Sequence, residues 1–393
     1  MRTRLLTFKS LLLICVLAIV GGAQAWAQTY TYKKILSEDE LISGGKCLIV
    51  CEDQNVAMAD QQKKGRSKES VKIKNGQIEI SSAQLENTKI VEFTMEKNNE
   101  GKWTFFDPKA KGYLQSPASK NQLTTATKIE KGCNATLSFN GEGNVKILFD
   151  GISTSNSNTL WYNTQAEEYD GFRCYGSGSV GSTFKTIQLY RKIANTSITH
   201  AGYSTFYSEE AFLMPTGIVG NTINSKDGSL VINAAYEGGA IVPAKTALLL
   251  KGEAKDYVLT FVSSDKTAPV DNLLHGTTTG AMTNAGEGNY KYYKLSYDDN
   301  DANLGFYWGA ENGAAFMNKA GKAYLALPVT ESQSMAKGFS LSDLANGTTT
   351  SIQQASIADK ASSIFDINGR RVSTLNGAAK GVYIVGGKKV MVK

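Results

Sequence analysis

The sequence predicts an all-β protein: tandem antiparallel β-barrel or β-sandwich modules closed by a short C-terminal β-hairpin region. Three observations predict this. Apolar and polar residues alternate with period two in run after run, and Gly, Asn and Asp clusters punctuate the runs. Between Thr29 and Ile193 no apolar period of 3.6 is sustained, apart from one turn of helix near Ser37 to Leu41. At 393 residues the chain is too long for one ordinary core, so two or more modules are expected.

The first element, residues 1–27, reads as a signal peptide. Arg2, Arg4 and Lys9 form its positive start, and the apolar run Leu11 to Val20 falls short of the ~20 residues that span a bilayer. Ala23-Gln24-Ala25 and Ala25-Trp26-Ala27 offer small-residue cleavage spacing, and cleavage is expected after Ala27. Cys15 follows Ile14 inside the apolar run, which argues against a lipoprotein. No later run reaches membrane length, so no transmembrane segment is expected after cleavage.

Residues 28–194 read as the first β module. In "VKIKNGQIEI", Val71 and Ile73 answer Ile78 and Ile80 across Asn75-Gly76, a dipeptide that accepts positive φ at both turn positions. "ATLSFNGEGNVKILF" repeats the plan, and "TFKTIQLYRK" alternates again. Residues 195–345 read as a second β-sandwich, with strands in "GSLVINAAY", "TALLLKG", "DYVLTFV", "YKYYKLSY", "LGFYWG" and "KAYLALP". Residues 346–363 are polar and patternless, a linker, and 364–393 form the closing stretch.

Charge narrows the partners. The formal +6 becomes +3 once Arg2, Arg4 and Lys9 leave, which argues against nucleic acid or an acidic membrane surface. The one basic cluster, Lys63-Lys64-Gly65-Arg66-Ser67-Lys68, reads as a solvated loop. Four cysteines remain: Cys47, Cys51, Cys133 and Cys174. Cys47 and Cys51 share one strand face roughly 13 Å apart, too far for a bridge. If disulfides form in an exported chain, they join this strand to Cys133 or Cys174.

Catalytic signatures are weak, and no enzyme, cofactor or metal is expected. Only two histidines occur; His200 lies near Ser204 and Ser208, His275 lies in "LLHGTTT", and neither has a Gly-x-Ser-x-Gly elbow. "GSGSVG" at Gly176, Gly178 and Gly181 precedes a strand, where a phosphate-binding turn needs a helix. Asp299, Asp301 and Asn303 begin like a calcium loop, but Leu304 replaces its Gly and Ala310 its Glu, so a turn is expected. Glu167, Glu168 and Asp170 read as an exposed acidic loop.

Aromatics are the remaining candidates. Trp161, Tyr162, Tyr169, Phe172 and Tyr175 cluster in one stretch; Tyr290, Tyr292, Tyr293, Tyr297, Tyr307 and Trp308 in another. Trp161, Tyr162, Tyr293 and Trp308 are the candidate ligand-stacking residues, with surface glycans as ligands. Core packing is the competing reading, since alternation puts only half of either run on one face.

The closing stretch resembles the C-terminal sorting domains of the type IX secretion pathway of the Bacteroidota. The resemblance rests on Phe365-Asp366-Ile367-Asn368-Gly369-Arg370, on Gly381-Val382-Tyr383, and on Gly386-Gly387-Lys388-Lys389 with a final Lys393. The earlier strands of a full-length sorting domain are not recognisable in 346–363. Two hairpins, turning at Asn368-Gly369 and Gly386-Gly387, would leave strand edges for a receptor to read. "GKCLIVCE" is similar to the "GKYLIVYE" strand of a β module recurring in such secreted proteins, and "ITHAGYSTFYSEEAFLMPTGI" resembles a second accessory module of the same proteins. The resemblance implies a secreted or outer-surface location and contact with the outer-membrane secretion machinery. Taken with the signal peptide and the tandem β modules, it leads to the expectation of a non-enzymatic adhesion or accessory binding protein, with surface glycans or partner proteins as ligands. Carbohydrate binding is the alternative, and a secreted hydrolase is a third.

Overall fold

The computed structural model describes residues 28–151, 157–165, 170–176, 178, 181–298, 303–329 and 335–347. It also describes strand residues 364–366, 371–372, 381–385 and 388–392. The chain is all-β, built of antiparallel sheets.

The first module is a barrel-like sheet. Pairings lead from Lys46–Cys51 through Val56–Gln61, Arg66–Ser70, Gly171–Tyr175 and Thr159–Asn163 to Val145–Phe149. They return through Ala135–Phe139, Trp103–Asp107 and Phe93–Lys97 to the first strand. Period-two alternation explains how one strand serves two cores. Cys47, Ile49 and Cys51 face an interior with Phe93, Phe105, Ile147 and Phe172. Leu48 and Val50 point outward, under Tyr32, Ile78, Ile80 and Tyr190.

The expected hairpins form. Ile73 pairs with Ile78 around Asn75 (φ 50°) and Gly76 (φ 68°), and Ala135–Phe139 pairs with Val145–Phe149. Glu38–Glu40 supplies the expected helical turn. A second helix, Ser82–Asn87, was not anticipated, although its signal stands in "SSAQ". Ser81 Oγ accepts from Gln84 N (3.1 Å), as an N-cap should.

The basic cluster departs from expectation. Arg66 opens a strand and is 1 % exposed, with Nη1 on Asp107 Oδ2 (2.5 Å) and Nη2 donating to Thr125 Oγ1 (2.6 Å). A guanidinium presents a planar fork of donors, so it can be buried where a carboxylate and a hydroxyl answer it. Lys68 pairs with Asp170, which also accepts from the Tyr162 hydroxyl (2.5 Å). Of the acidic loop, Asp170 is therefore structural; Glu167 and Glu168 lie outside the described residues.

The second module is a sandwich with an extra layer. One sheet runs Tyr203–Ser208, Thr246–Gly252, Ile218–Lys226, Ser229–Tyr236; it faces a sheet built on Lys322–Pro328, Tyr290–Tyr297 and Leu304–Trp308. Ala247 and Leu249 point into the core between them, with Leu325 and Phe306. Leu248 and Leu250 point the other way, onto Phe212, Leu259 and Phe261. Burial on both faces explains why "TALLLKG" is a continuous apolar run.

The strand Gln188–Ser197 joins the modules. Its first half pairs with Lys46–Cys51 and its second half with Asp256–Phe261 of the second module. The expected junction between 194 and 195 falls inside this strand. The helix Leu341–Asn346, capped by Ser340 and ended by Gly347 (φ 61°), closes the second core with Leu341 and Leu344. Of the linker, 348–363 lies outside the described residues.

The closing stretch forms its own four-stranded sheet, ordered Arg371–Val372, Ile364–Asp366, Gly381–Val385, Lys388–Val392. Phe365, Asp366, Gly381, Tyr383 and Lys389 sit on its strands; Asn368, Gly369, Arg370 and Lys393 lie outside the described residues.

Candidate binding cleft in the second module

Tyr203–Ser208 is the outer strand of its sheet, so one backbone edge has no ladder partner. The start of Lys322–Pro328 meets that edge: Ala323 N donates to Thr205 Oγ1 (3.1 Å) and Tyr207 N to Gly321 O (3.0 Å). Beside this junction opens a cleft of about 930 Å³, within the range of small-molecule sites.

Its walls mix apolar side chains with the polar Thr199, Ser204, Ser296 and Asn318, and among the described residues its charge has one sign. Leu295, Leu304, Phe316 and Met317 line it beside Tyr203 and Tyr297, and the ionisable groups facing it are Lys294, Lys319, Lys322 and His200. Among the described residues no Asp or Glu lines it. Tyr297 and Met317 are 48 % and 65 % exposed, so the cleft leaves apolar surface in water that a ligand could cover. Phe316 is placed by Gly309, where a Cβ would lie 2.0 Å from a ring carbon.

Lys322 is the half-buried cation. Its ammonium donates to Ser204 Oγ (3.0 Å) and Thr205 O (3.3 Å), both neutral oxygens. Burial, and then the charge of Lys319, hold its pKa below the ordinary lysine value. A neutral carbonyl and hydroxyl do not balance an ammonium, so the site favours an incoming anion.

The structure sorts the sequence candidates. His200 and Ser204 line the same cleft, yet no hydrogen bond joins them. Ser208 Oγ accepts from Glu210 N (3.0 Å) and is structural. His275 stacks on Tyr324, and burial lowers its pKa. Tyr162 and Tyr293 are 1 % and 0 % exposed, in the two main cores, so neither can stack on a ligand. Trp161 and Trp308 are half-buried; Trp161 lines a smaller hollow of about 290 Å³ with Phe139 and Ile187.

All four cysteines are free and buried, so the disulfides considered from sequence do not form. Burial pushes the Cys51 thiol up to about 11 and the Cys174 thiol up to about 12. Asn303 Nδ2 donates to Asp298 Oδ2 (2.8 Å), closing a hairpin, while Asp299 and Asp301 lie outside the described residues. Among the described residues no group of three His, Cys, Asp or Glu side chains gathers to hold a metal ion. Likewise no described helix is long and apolar enough to cross a membrane.

Sequence reasoning missed Lys322, Lys319 and Phe316. Nothing local marks them, because Ser204 and Lys322 stand 118 residues apart and meet only through the edge of a sheet. In comparisons with known proteins, no family model and no curated protein matches the chain.

Proposed function

We propose that the chain is an exported, non-enzymatic binding protein of the outer cell surface. Its closing sheet acts as a type IX-like sorting signal, and it binds through the second-module cleft. One observation carries the sorting reading. Among the described residues the closing strands pair with one another alone, and the outer strand Lys388–Val392 exposes Val390 and Met391, at 37 % and 68 %. An outer strand that exposes apolar side chains and has one backbone edge without a ladder partner among the described residues is what a receptor can read by strand addition. The test is fractionation and surface proteolysis of producing cells, comparing the full chain with one stopped at Ser363. The full chain is expected on the surface or in the medium and the shortened one in the periplasm. If both end up in the same place, the sorting reading falls.

Glycan binding is an alternative form of the same role, resting on Trp161 and Trp308, the two candidates that keep some exposure. Glycan-array binding lost in Trp161→Ala or Trp308→Ala supports it, and silence across the array removes it. One contact favours a different class, a secreted hydrolase: Lys322 Nζ lies 3.0 Å from Ser204 Oγ. An amine of lowered pKa beside a hydroxyl is a known way to activate a nucleophile. A fluorophosphonate probe that labels Ser204 supports this reading, and absence of labelling excludes it.

A further inference from the structure

We propose that the cleft takes a carboxylate carried on an apolar body, a ligand of the fatty-acid class, with the carboxylate at Lys322 and Lys319 and the hydrocarbon along Leu295, Leu304, Phe316 and Met317. This rests on reading the cleft as the binding seat.

Three features of the cleft select that chemistry. The first is its charge: three lysines and one histidine, with no carboxylate among the described lining residues. A cationic ligand would meet repulsion, and a neutral one would leave the Lys322 ammonium with only a hydroxyl and a carbonyl as partners. A carboxylate supplies the missing charge through a charge-assisted hydrogen bond. The second is the wall. Leu295, Leu304, Phe316 and Met317 give it an apolar stretch beside the polar Ser296 and Asn318, and burying Met317 and Tyr297 under a hydrocarbon removes apolar surface from water. The third is the arrangement. Lys322 is half-buried where two sheets meet, whereas Lys319 and Lys294 are exposed, so an anion drawn in by the outer lysines ends on the inner one.

The experiment is calorimetric titration of the full chain with three probes: dodecanoate, dodecanol and a uronic-acid oligosaccharide. Dodecanoate is expected to bind, and dodecanol about tenfold more weakly or worse. Lys322→Met is expected to weaken dodecanoate by about tenfold while leaving dodecanol unchanged. Lys319→Met, at an exposed position, gives a smaller loss in the same direction and keeps the test open if Lys322→Met folds poorly. Equal binding of dodecanoate and dodecanol, insensitive to both substitutions, overturns the proposal. Binding of the oligosaccharide alone, lost in Lys322→Met, also overturns it but leaves the cleft as the binding seat. If no probe binds, the proposal and the cleft reading fall together.

Discussion

Lys192 Nζ lies 2.6 Å from Glu210 Oε1 and 3.0 Å from Glu92 Oε2, so one ammonium is shared by carboxylates from both modules. Its side chain is 2 % exposed, beneath the Tyr30 ring at 3.5 Å. Lys46 closes the group against the same two carboxylates, and the Tyr32 hydroxyl donates to Glu92. Removing Lys192 leaves Glu92 and Glu210, each 18 % exposed, with Lys46 as their remaining cation. Lys192→Met is therefore expected to cost about 3–5 kcal/mol. Denaturant unfolding followed by fluorescence checks it, and a loss below about 1 kcal/mol would mean the charges find water.

The same cluster sets a pH window. Burial opposes the Glu210 carboxylate, but Lys192 and Lys46 outweigh it and hold the group below its ordinary value of 4.5. Burial also opposes the Lys46 ammonium, and Glu210 and Glu92 outweigh that, raising it above 10.5. A lowered acid contributes stability that is present above its unfolded value and lost as pH falls through the folded one. A raised base contributes stability that is present below its unfolded value and lost as pH rises through the folded one. Melting temperature is thus expected to be flat between about pH 5 and 10 from this source and to fall outside it. In Lys192→Met the acid side of the plateau should fall off at higher pH, because Glu210 loses its main partner.

Arg66 and Asp107 make a second buried pair, wholly within the first module. Asp107 also accepts from the backbone N–H groups of Lys109 and Ala110 (2.8 and 3.0 Å). Asp107→Ala is expected to cost about 3–5 kcal/mol, since it leaves a guanidinium at 0 % side-chain exposure unpaired. Arg66→Leu with Asp107→Leu should be milder than either single change.

Gly76 holds φ at 68° in a two-residue hairpin. Gly76→Ala is expected to cost about 1–2 kcal/mol, read from the shift in denaturant midpoint. No change would mean the turn can adopt another form.

Buried thiols of raised pKa should be inert to a disulfide reagent in the native protein. Cys47, Cys51, Cys133 and Cys174 are expected to react together, and only on unfolding in denaturant. Fewer than four thiols there, without reductant, would show that a bridge forms after all.

Much of the fold was legible in the sequence because its signals are local. Asn75-Gly76 fixes its turn through backbone sterics alone, and alternation in Ala135–Phe139 names the buried face without reference to a partner. The double burial of Leu248 and Leu249 was visible only as an apolar run, because its cause is a third layer supplied by distant strands. Arg66 shows the opposite failure. Its neighbours Lys63, Lys64 and Gly65 look like loop, and only the arrival of Asp107 makes burial affordable. The cleft was legible least. His200 and Ser204 stand close in sequence and drew notice, while Lys322 and Phe316 arrive from another sheet.

The strand Gln188–Ser197 has a consequence for inheritance. Ile193 pairs with Thr260 and Asn195 with Val258, so a cut between Ala194 and Asn195 parts a strand both sheets need. A gene rearrangement that moved either module alone would carry a severed sheet edge into its new host, with Leu259 and Thr260 parted from their ladder partners Ala194 and Ile193. The unit that can be copied, fused or transplanted whole is the pair, residues 28–347.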